Sequence, residues 1–526
     1  MLSRRSFITA AVSSSSLIPN HELLLADDST RNCNSVADLL SGSPTGPWRR
    51  LLLDAAVVEK QQGLARIYHQ ARKHASNPMI VADQPWEGRS AIIGPYVYGT
   101  VMKEEGRFRL WYQLLNQGNH VGYAESADGI HWTKPELDIV SHEGKKTNLV
   151  VSAFAPDLFD GVQCHNPSVI SCPLSPHPDR RYALYGLDSA SGGPRVAFSR
   201  DGIHWKYWDS GTSTGKPLPL FTSGDVVSFF DDPYRQQIAA TWKTRNRRGR
   251  AVGVAFAADG LNWSKVYDGP VFVADDLDPD DTQIYGMPAF AYQGMYIGLP
   301  WIYRARYFRY GEYTVDKLHE AQNDSPRTME VQLSWSWDLV NWTRPPQRAQ
   351  FLPRGDDSAW DSGMTLVARA PVQVGDELWF YYTGTSKVHD DPRVPAAIGL
   401  AKLRLDGFCS YSCRGNASPD SRVGWLISRR EPMRQPRVAI NAITGPRGSI
   451  SVEILDRTDR VVPGFSRDLC VPFRGDSTHH EIAWNSSQSI QPLTQPDCKL
   501  RFWLEDAELF SYHPMDLDPQ QFDLAR

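Results

Sequence analysis

Residues 124–132 read AESADGIHW, and this phrase returns along the chain. Residues 197–205 read AFSRDGIHW, residues 255–263 read AFAADGLNW, and residues 334–342 read SWSWDLVNW. A degenerate fifth copy, IGLAKLRLDG, spans residues 398–407. Each copy predicts a strand, a tight turn at Asp-Gly and a tryptophan that begins the next strand, because glycine accepts the positive φ of such a turn.

The copies are spaced unevenly, by roughly 60–80 residues, which suits a large propeller blade with variable loops. Radial repetition of four-stranded sheets lets an all-β chain avoid long exposed edges. Runs such as residues 108–112, 181–185 and 377–382 are alternating or continuously apolar between turn signals, as strands are. The sequence therefore predicts five blades.

Three regions follow from this pattern. Residues 1–45 contain Ser3-Arg4-Arg5-Ser6-Phe7-Ile8, which is typical of a twin-arginine export signal, and a polar linker. Residues 46–425 carry the phrases, whereas residues 426–526 carry strand patterns without them, which favours a β-sandwich accessory domain. The expected fold is all-β, a five-bladed β-propeller followed by a C-terminal β-sandwich, in a periplasmic or extracellular protein.

Composition excludes several classes of protein. The chain of 526 residues is 41% apolar, so it can bury a sizeable core. A net charge of −4 argues against a nucleic-acid partner, and no apolar run is long enough to span a membrane. The basic run from Lys243 to Arg250 lies between two predicted strands, and we expect a solvated hairpin there rather than a phosphate site.

The seven cysteines are compatible with an oxidising compartment. Their pairing cannot be deduced from sequence, and Cys33 would be left over. No CxxC or histidine-rich spacing is present, so neither a metal nor a cofactor is expected. The pairs considered are Cys164/Cys172, Cys409/Cys413 and Cys470/Cys498.

One acid lies near the start of each predicted inner strand, where it would face the central channel. Charged side chains are seldom buried unless they are paired or used, although any one of these acids is equally well explained as a strand cap. Carboxylates that share a pocket can cleave glycosidic bonds, since one protonates the leaving oxygen and another activates water or attacks carbon. The catalytic candidates are Asp281, Asp361, Asp225 and Glu87, with Glu87 favoured as proton donor, and Asp160 is expected to bind substrate.

Aromatic and basic residues lie beside these acids in sequence. Flat aromatic faces bind the apolar faces of sugars, whereas tryptophans at the phrase positions are expected in the core. A structural, hydrogen-bonded role is equally probable for the histidine of the set. The further substrate-binding candidates are His165, Trp86, Arg89, Tyr285, Trp301, Arg304 and Trp360.

The phrase, residues 284–288 (IYGMP) and residues 358–364 (SAWDSGM) resemble the five-bladed glycoside hydrolases of families 32 and 43. Residues 450–456 (ISVEILD) and 474–477 (RGDS) resemble the sandwich of a secreted bacterial group within that assemblage. The resemblance implies a propeller that cleaves carbohydrate. The Trp-x-Asn-Asp-Pro-x-Gly start, the Arg-Asp-Pro triplet and the Glu-Cys acid of family 32 are absent, so individual roles do not transfer.

The sequence therefore predicts an exported glycoside hydrolase that acts on an oligo- or polysaccharide. Two alternatives stay open. One is a carbohydrate-binding propeller without catalysis. The other is a glycoside phosphorylase, which would need basic residues beside the acids to hold phosphate. The sugar, the linkage and the stereochemical outcome are not fixed by the sequence.

Overall fold

The computed structural model describes an all-β protein, which confirms the predicted class. The described residues are 46–88, 92–172, 175–213, 216–265, 269–306, 325–389, 391, 393–414, 422–485, 493 and 497–515. The predicted export signal and Arg89 lie outside them. Within the described residues, no helix combines the length and the apolar character needed to cross a membrane. Three short 3-10 helices lie wholly within the described residues, at Pro85–Glu87, Pro156–Phe159 and Pro178–Arg180.

Five short strands precede the repeated part of the chain. They are β1 (Arg50–Leu51), β2 (Val58–Gln62), β3 (Ala65–Tyr68), β4 (Arg72–Lys73) and β5 (Ile92–Ile93).

The first three repeat units each form a separate four-stranded antiparallel sheet. Unit 1 contains β6 (Tyr96–Glu104), β7 (Arg107–Leu115), β8 (Asn119–Ser126) and β11 (Leu149–Ser152), with β9 (Leu137–His142) and β10 (Lys145–Thr147) as a side hairpin. Unit 2 contains β12 (His165–Ser171), β13 (Tyr182–Asp188), β14 (Gly193–Ser199) and β15 (Lys206–Tyr207), with β16 (Thr212–Ser213) and β17 (Lys216–Pro217) as a side hairpin. Unit 3 contains β18 (Val227–Asp232), β19 (Gln237–Asn246), β20 (Gly249–Ala257) and β21 (Ser264–Lys265).

The fourth unit is divided between two sheets, because its strands are interrupted near their middles. One part is a four-stranded sheet of β23 (Ala289–Tyr292), β24 (Met295–Gly298), β27 (Ser334–Ser336) and β28 (Trp342–Thr343). The other part contains β22 (Thr282–Gly286), β25 (Trp301–Arg304), β26 (Met329–Gln332) and β29 (Gln350–Leu352). Unit 5 contains β30 (Met364–Val367), β31 (Val372–Val374), β32 (Glu377–Thr385) and β33 (Val394–Arg404).

The blade count differs from the prediction. The described part of the chain has four separate four-stranded sheets, not five, because unit 5 shares a ten-stranded sheet with β22, β25, β26 and β29 of unit 4. A parallel bridge between Met329 and Met364 joins the two parts. The degenerate fifth phrase lies mostly on β33, and β4 pairs with that strand, so an N-terminal segment completes the propeller.

The repeated phrase stabilises its own turn, because its serine and aspartate side chains accept hydrogen bonds from the backbone amides of the turn. In unit 1, Ser126 Oγ accepts hydrogen bonds from the amides of Asp128 and Gly129, at 3.2 and 2.8 Å. Asp128 Oδ1 accepts from the amides of Ile130 and His131, both at 2.8 Å. Gly129 has φ +76°, which explains the glycine.

The phrase also links neighbouring units through the carbonyl that follows the turn aspartate. In each case an aromatic side chain on the second strand of the preceding unit donates to that carbonyl. The contacts are Tyr381 Oη to Gly129 O at 2.7 Å, Trp111 Nε1 to Gly202 O at 2.7 Å and Tyr185 Oη to Gly260 O at 3.1 Å. The repeat is therefore a connection between blades as well as a turn.

The C-terminal module is larger than its predicted range. Hydrogen bonds link eight strands into one sheet where the sequence predicts a sandwich, and three of the eight, β1, β2 and β3, come from the N-terminal segment. The predicted boundary between residues 425 and 426 falls inside a strand, Val423–Ser428, and strands on both sides of it pair with one another. The remaining strands are β34 (Cys409–Ser412), β35 (Val423–Ser428), β36 (Val438–Leu455), β37 (Asp476–Glu481) and β38 (Lys499–Pro514).

A buried aspartate joins the two parts of the molecule. Asp406 follows β33 and accepts hydrogen bonds from Arg49 Nε at 2.6 Å, Tyr292 Oη at 2.6 Å and Ser511 Oγ at 2.6 Å. Burial opposes its charge, but Arg49 and the two hydroxyl donors hold the pKa of Asp406 below the usual 3.8.

The cysteine pairs considered from sequence are not formed. None of the six cysteines in the described residues takes part in a disulfide, and all six are buried. Burial raises the pKa of Cys164 and of Cys172 to about 12. These side chains pack as small apolar groups.

Candidate functional site

The five acids predicted at the unit starts occupy different environments. Glu87 is fully buried in a short 3-10 helix, where its side chain is 0% exposed. It accepts hydrogen bonds from Tyr112 Oη at 3.0 Å and from the Asp83 amide at 3.0 Å, and it pairs with Lys134 Nζ at 2.7 Å. Glu87 therefore lies among structural partners and away from solvent, and its role as proton donor stays a prediction.

Asp361 is also a structural acid. Its side chain is 3% exposed, pairs with Lys73 Nζ at 2.6 Å and accepts from Tyr382 Oη at 2.9 Å. Trp360 is half-buried and stacks on Tyr382 at 5.7 Å between ring centroids. Asp361 ties unit 5 to the N-terminal segment that closes the propeller, and its catalytic role stays a prediction.

Asp281 precedes β22 and pairs with a cation beside it in the sheet. Arg304 Nε and Nη2 lie 2.8 and 2.7 Å from Asp281 Oδ1, and the aspartate side chain is 18% exposed. Asp281 and Arg304 thus form an ion pair with each other.

Two other predicted binding residues lie elsewhere. Asp160 is exposed at the end of a 3-10 helix, with a left-handed backbone at φ 51°. Trp86 is buried in the core, where its Nε1 donates to Asn148 Oδ1 at 2.9 Å. Trp86 is therefore a packing residue and not a platform for sugar.

Asp225 differs from the other three catalytic candidates because its carboxylate is open to solvent. It precedes β18, its side chain is 62% exposed, and it forms an ion pair with Lys243 Nζ on β19. The lysine side chain is only 9% exposed. Burial opposes the charge of Asp225, yet the Lys243 ammonium holds the pKa of the carboxyl below 3.8. Burial likewise lowers the pKa of Lys243 from 10.5, against the attraction of Asp225.

Side chains from all five units converge near this pair, and we call them the funnel cluster. Its first contacts run between different units. Tyr98 of unit 1 stacks on Trp301 of unit 4 at 5.2 Å, and it meets His165 of unit 2 edge-on at 5.6 Å. The funnel cluster comprises Tyr98, His165, Asp225, Lys243, Tyr285 and His389.

Tyr285 lies at the middle of the funnel cluster. Its hydroxyl is 3.1 Å from His389 Nε2 of unit 5, and Lys243 Nζ is 4.2 Å from its ring centroid. Tyr98 also hydrogen-bonds to Tyr285, and burial together with that tyrosine raises the pKa of Tyr98 well above 10. The ring of Tyr285 thus helps to hold Lys243 in the position where it pairs with Asp225.

His165 contributes a neutral ring to the cluster. Burial lowers its pKa to about 4, although the nearby Asp225 charge acts in the opposite sense. Its Nδ1 is 3.1 Å from Asn119 Oδ1, which orients the ring. At neutral pH, His165 can therefore donate one hydrogen bond and accept another without adding charge.

Sequence reasoning missed Lys243, Arg250, Tyr98 and His389. Lys243 and Arg250 are the two ends of the basic run that was expected to be solvated. Arg245 is opposite Arg250 in the hairpin, so strand alternation places Lys243, Arg245 and Arg250 on one face. That alternation was a usable signal. His389 lies in the loop between β32 and β33, and no local pattern marks it.

The arrangement presents one ionised carboxylate beside aromatic rings, among side chains from five units. Such a carboxylate can accept a proton from water or a sugar hydroxyl, or approach an electrophilic carbon. The described residues hold no group of three or more His, Cys, Asp or Glu side chains placed to bind a metal ion.

Comparison with known proteins gave structural similarity only. No protein-family model and no curated protein sequence matches the chain. A glycosyl hydrolase from Bacteroides ovatus aligns with a TM-score of 0.43 and 13% identity, over 64% of this chain and 94% of that one. A second structure aligns with a TM-score of 0.42 and 13% identity, over 64% of this chain and 94% of that one. It belongs to work on the GH130 family of mannoside phosphorylases, which contains glycoside hydrolases that target β-1,2 mannosidic linkages in Candida mannan.

A Bombyx mori GH32 β-fructofuranosidase, in complex with sucrose, aligns over more of this chain. Its TM-score is 0.39 and its identity 11%, over 83% of this chain and 93% of that one. At TM-scores below 0.5, none of these similarities assigns a role to any residue here.

Proposed function

We propose that the chain is an exported glycoside hydrolase. It binds its sugar at the funnel cluster, and Asp225 takes part in cleavage of the glycosidic bond. The observation that supports this most is the pairing of an exposed carboxylate with a buried lysine, Lys243, among aromatic rings. An ion pair made only for stability has no need to expose its carboxylate.

Asp225 is the group that acts on the anomeric centre in this proposal. Since Lys243 keeps it ionised, it suits activation of water, attack on carbon or stabilisation of an oxocarbenium-like transition state, and it is a poor acid.

Aromatic side chains would position the sugar. Tyr98 is half-buried, and its partner Trp301 is buried beneath it, so the sugar meets the tyrosine rather than the tryptophan. His165 and Asn119 can bond sugar hydroxyls from the neighbouring unit. This divides the predicted binding residues into those that face the site and those that support it.

A carbohydrate-binding propeller without catalysis is the second candidate, and the single exposed carboxylate favours it. A turnover assay separates the two. The full chain is incubated with a panel of aryl glycosides and plant and algal oligosaccharides, and released sugar is measured. We expect Asp225→Asn to lower kcat/KM at least a hundredfold, as general acid–base groups contribute about 10²–10⁴-fold.

A matched control is available in Asp179→Asn. Asp179 is an exposed aspartate paired with Arg200 at 3.0 Å, on the outer part of unit 2. It should retain turnover within twofold. Cleavage that survives in Asp225→Asn would contradict the assignment of Asp225, and binding of sugar without any cleavage would favour the binding protein.

Export is proposed on the sequence alone, from Ser3-Arg4-Arg5-Ser6-Phe7-Ile8 and the apolar stretch that follows it. A reporter fused after residue 45 should leave the cytoplasm of a bacterial host. Arg4→Lys with Arg5→Lys should abolish that export. Export unaffected by the double substitution would contradict a twin-arginine route.

A further inference from the structure

The basic hairpin between β19 and β20 turns two of its cations toward the funnel cluster. Lys243 is at one end of the run and Arg250 at the other, while Arg247 and Arg248 occupy the exposed turn. Arg248 is neutralised by an ion pair with Asp276. The inward and outward members of the run therefore have different surroundings.

Both inward cations are held on the same aromatic ring. Lys243 Nζ is 4.2 Å and Arg250 Cζ is 5.6 Å from the ring centroid of Tyr285, and Arg250 Cζ is 5.1 Å from that of Tyr303. Arg250 Nη1 also donates to Gln283 Oε1 at 2.9 Å. These contacts fix the guanidinium without supplying it with a negative partner.

The charges at this place do not balance. Asp225 is within ion-pair distance of Lys243, whereas no carboxylate of the described residues is within that distance of Arg250. Arg250 Nε is buried and has no hydrogen-bond acceptor among the described residues. An unmatched buried donor on a cation is costly, and an acceptor that carries negative charge would relieve the cost.

We infer that Lys243 and Arg250 form an oxyanion subsite that holds a negatively charged group of the substrate or co-substrate beside Asp225. This rests on the proposed function and narrows its substrate class. A guanidinium with free donors bonds the oxygens of carboxylate and phosphate in pairs, which a neutral sugar hydroxyl cannot match.

Two sources can supply such an oxyanion. A uronic acid in the saccharide brings a carboxylate, and the glycosidic bond is then hydrolysed by water. Free inorganic phosphate instead brings a nucleophile: its oxygen bonds the anomeric carbon, the glycosidic C–O bond breaks, and the departing oxygen takes a proton. The products are then a sugar phosphate and the released alcohol.

The test measures binding separately from turnover. The full chain is titrated calorimetrically with sodium phosphate, methyl β-glucuronide and methyl β-glucoside. We expect one of the two anions to bind, and Arg250→Gln to weaken that binding roughly ten- to a hundredfold, since a charge-assisted pair is lost. Uronide binding alone identifies a substrate carboxylate, and phosphate binding identifies the co-substrate.

Control variants keep the outcome interpretable. Lys206→Gln removes an exposed lysine on β15 and should leave anion binding unchanged. Arg250→Lys retains the charge but loses the paired donors, so it should bind the anion more weakly than wild type and better than Arg250→Gln. Thermal unfolding verifies that each variant is folded.

Equal anion affinity in wild type and Arg250→Gln would overturn the inference, as would the absence of binding by either anion at millimolar concentration. Its failure is distinguishable from failure of the proposed function. Cleavage of neutral glycosides without anion binding defeats only the oxyanion subsite. Anion binding that persists in Asp225→Asn, in a chain that cleaves no glycoside, defeats only the glycoside-cleaving proposal.

Discussion

Two aspartates of the propeller pair with lysines in opposite ways. In the Asp225–Lys243 pair the lysine is buried and the carboxylate meets solvent, whereas in the Asp361–Lys73 pair the carboxylate is buried and the lysine reaches solvent. Both aspartates lie near the start of an inner strand. A buried carboxylate depends on its lysine to offset the cost of burying its charge. An exposed carboxylate can also interact with a ligand. Position in the repeat thus places an acid, and its neighbours decide its role.

The strongest test of this contrast is chemical rescue. Asp225→Ala should lower turnover by about 10²–10⁴-fold, and azide or formate should restore at least tenfold of it on an activated aryl glycoside, because a small anion fills the vacated position. Asp361→Ala should show no such rescue, since its site is closed to solvent. Initial rates with and without the anion decide between them.

Rescue of Asp361→Ala, or a complete lack of loss in Asp225→Ala, would reverse the contrast. Asp179→Ala is the control for non-specific stimulation by the anion. It should respond to azide no more than wild type does.

A third aspartate extends the contrast to a fully buried case. Asp406→Asn leaves Arg49 without its negative partner between the propeller and the C-terminal sheet, so the free energy of unfolding should fall by about 3–5 kcal/mol. Urea denaturation at neutral pH measures this. Turnover per folded molecule should not change.

The same residue predicts a pH dependence. Because the pKa of Asp406 is lower in the folded state, its stabilisation is present above about pH 4 and is lost as the pH falls through the folded value. Asp406→Asn should lose less stability than wild type over that acidic range. Parallel acid curves would contradict the assignment.

The Asp361–Lys73 pair should matter less than the junction, since Lys73 is partly solvated. Asp361→Asn keeps a group that can bond Tyr382 but removes the charge, and we expect a loss of about 2–3 kcal/mol in the free energy of unfolding. Asp225→Asn leaves the buried Lys243 ammonium without its partner, but the carboxylate side of this pair is solvated, so we expect a smaller loss of about 1–2 kcal/mol. Denaturation of the two variants side by side measures the difference.

The sequence was sufficient for the parts of the fold that are stabilised locally. The phrase is legible because Ser126 and Asp128 bond amides within three residues of themselves. The closure of the propeller and the make-up of the C-terminal sheet could not be predicted, since the residues that pair there are far apart in the sequence. Arg49 and Asp406, for example, are separated by 357 residues.

The candidate site was only partly predictable from the sequence, for a related reason. An acid near each inner strand marked Asp225, but the same reasoning selected Glu87 and Asp361, whose burial depends on Lys134 and Lys73 from distant segments. The basic run was interpreted by composition, as a solvated charge cluster. Its alternation along β19 and β20 would have separated inward from outward cations.

The smallest expected effect concerns the lysine of the exposed pair. Lys243→Met removes the charge that lowers the pKa of Asp225, so the pKa should rise toward its ordinary value of 3.8. In wild type, the acidic limb of kcat/KM should lie below pH 3.8, and in Lys243→Met it should move upward. Lys73→Met, which affects a buried carboxylate that meets no substrate, should leave that limb unchanged. An unmoved limb in Lys243→Met would show that Asp225 does not control the acidic side of the profile, and the contrast between the two pairs would then be one of burial alone.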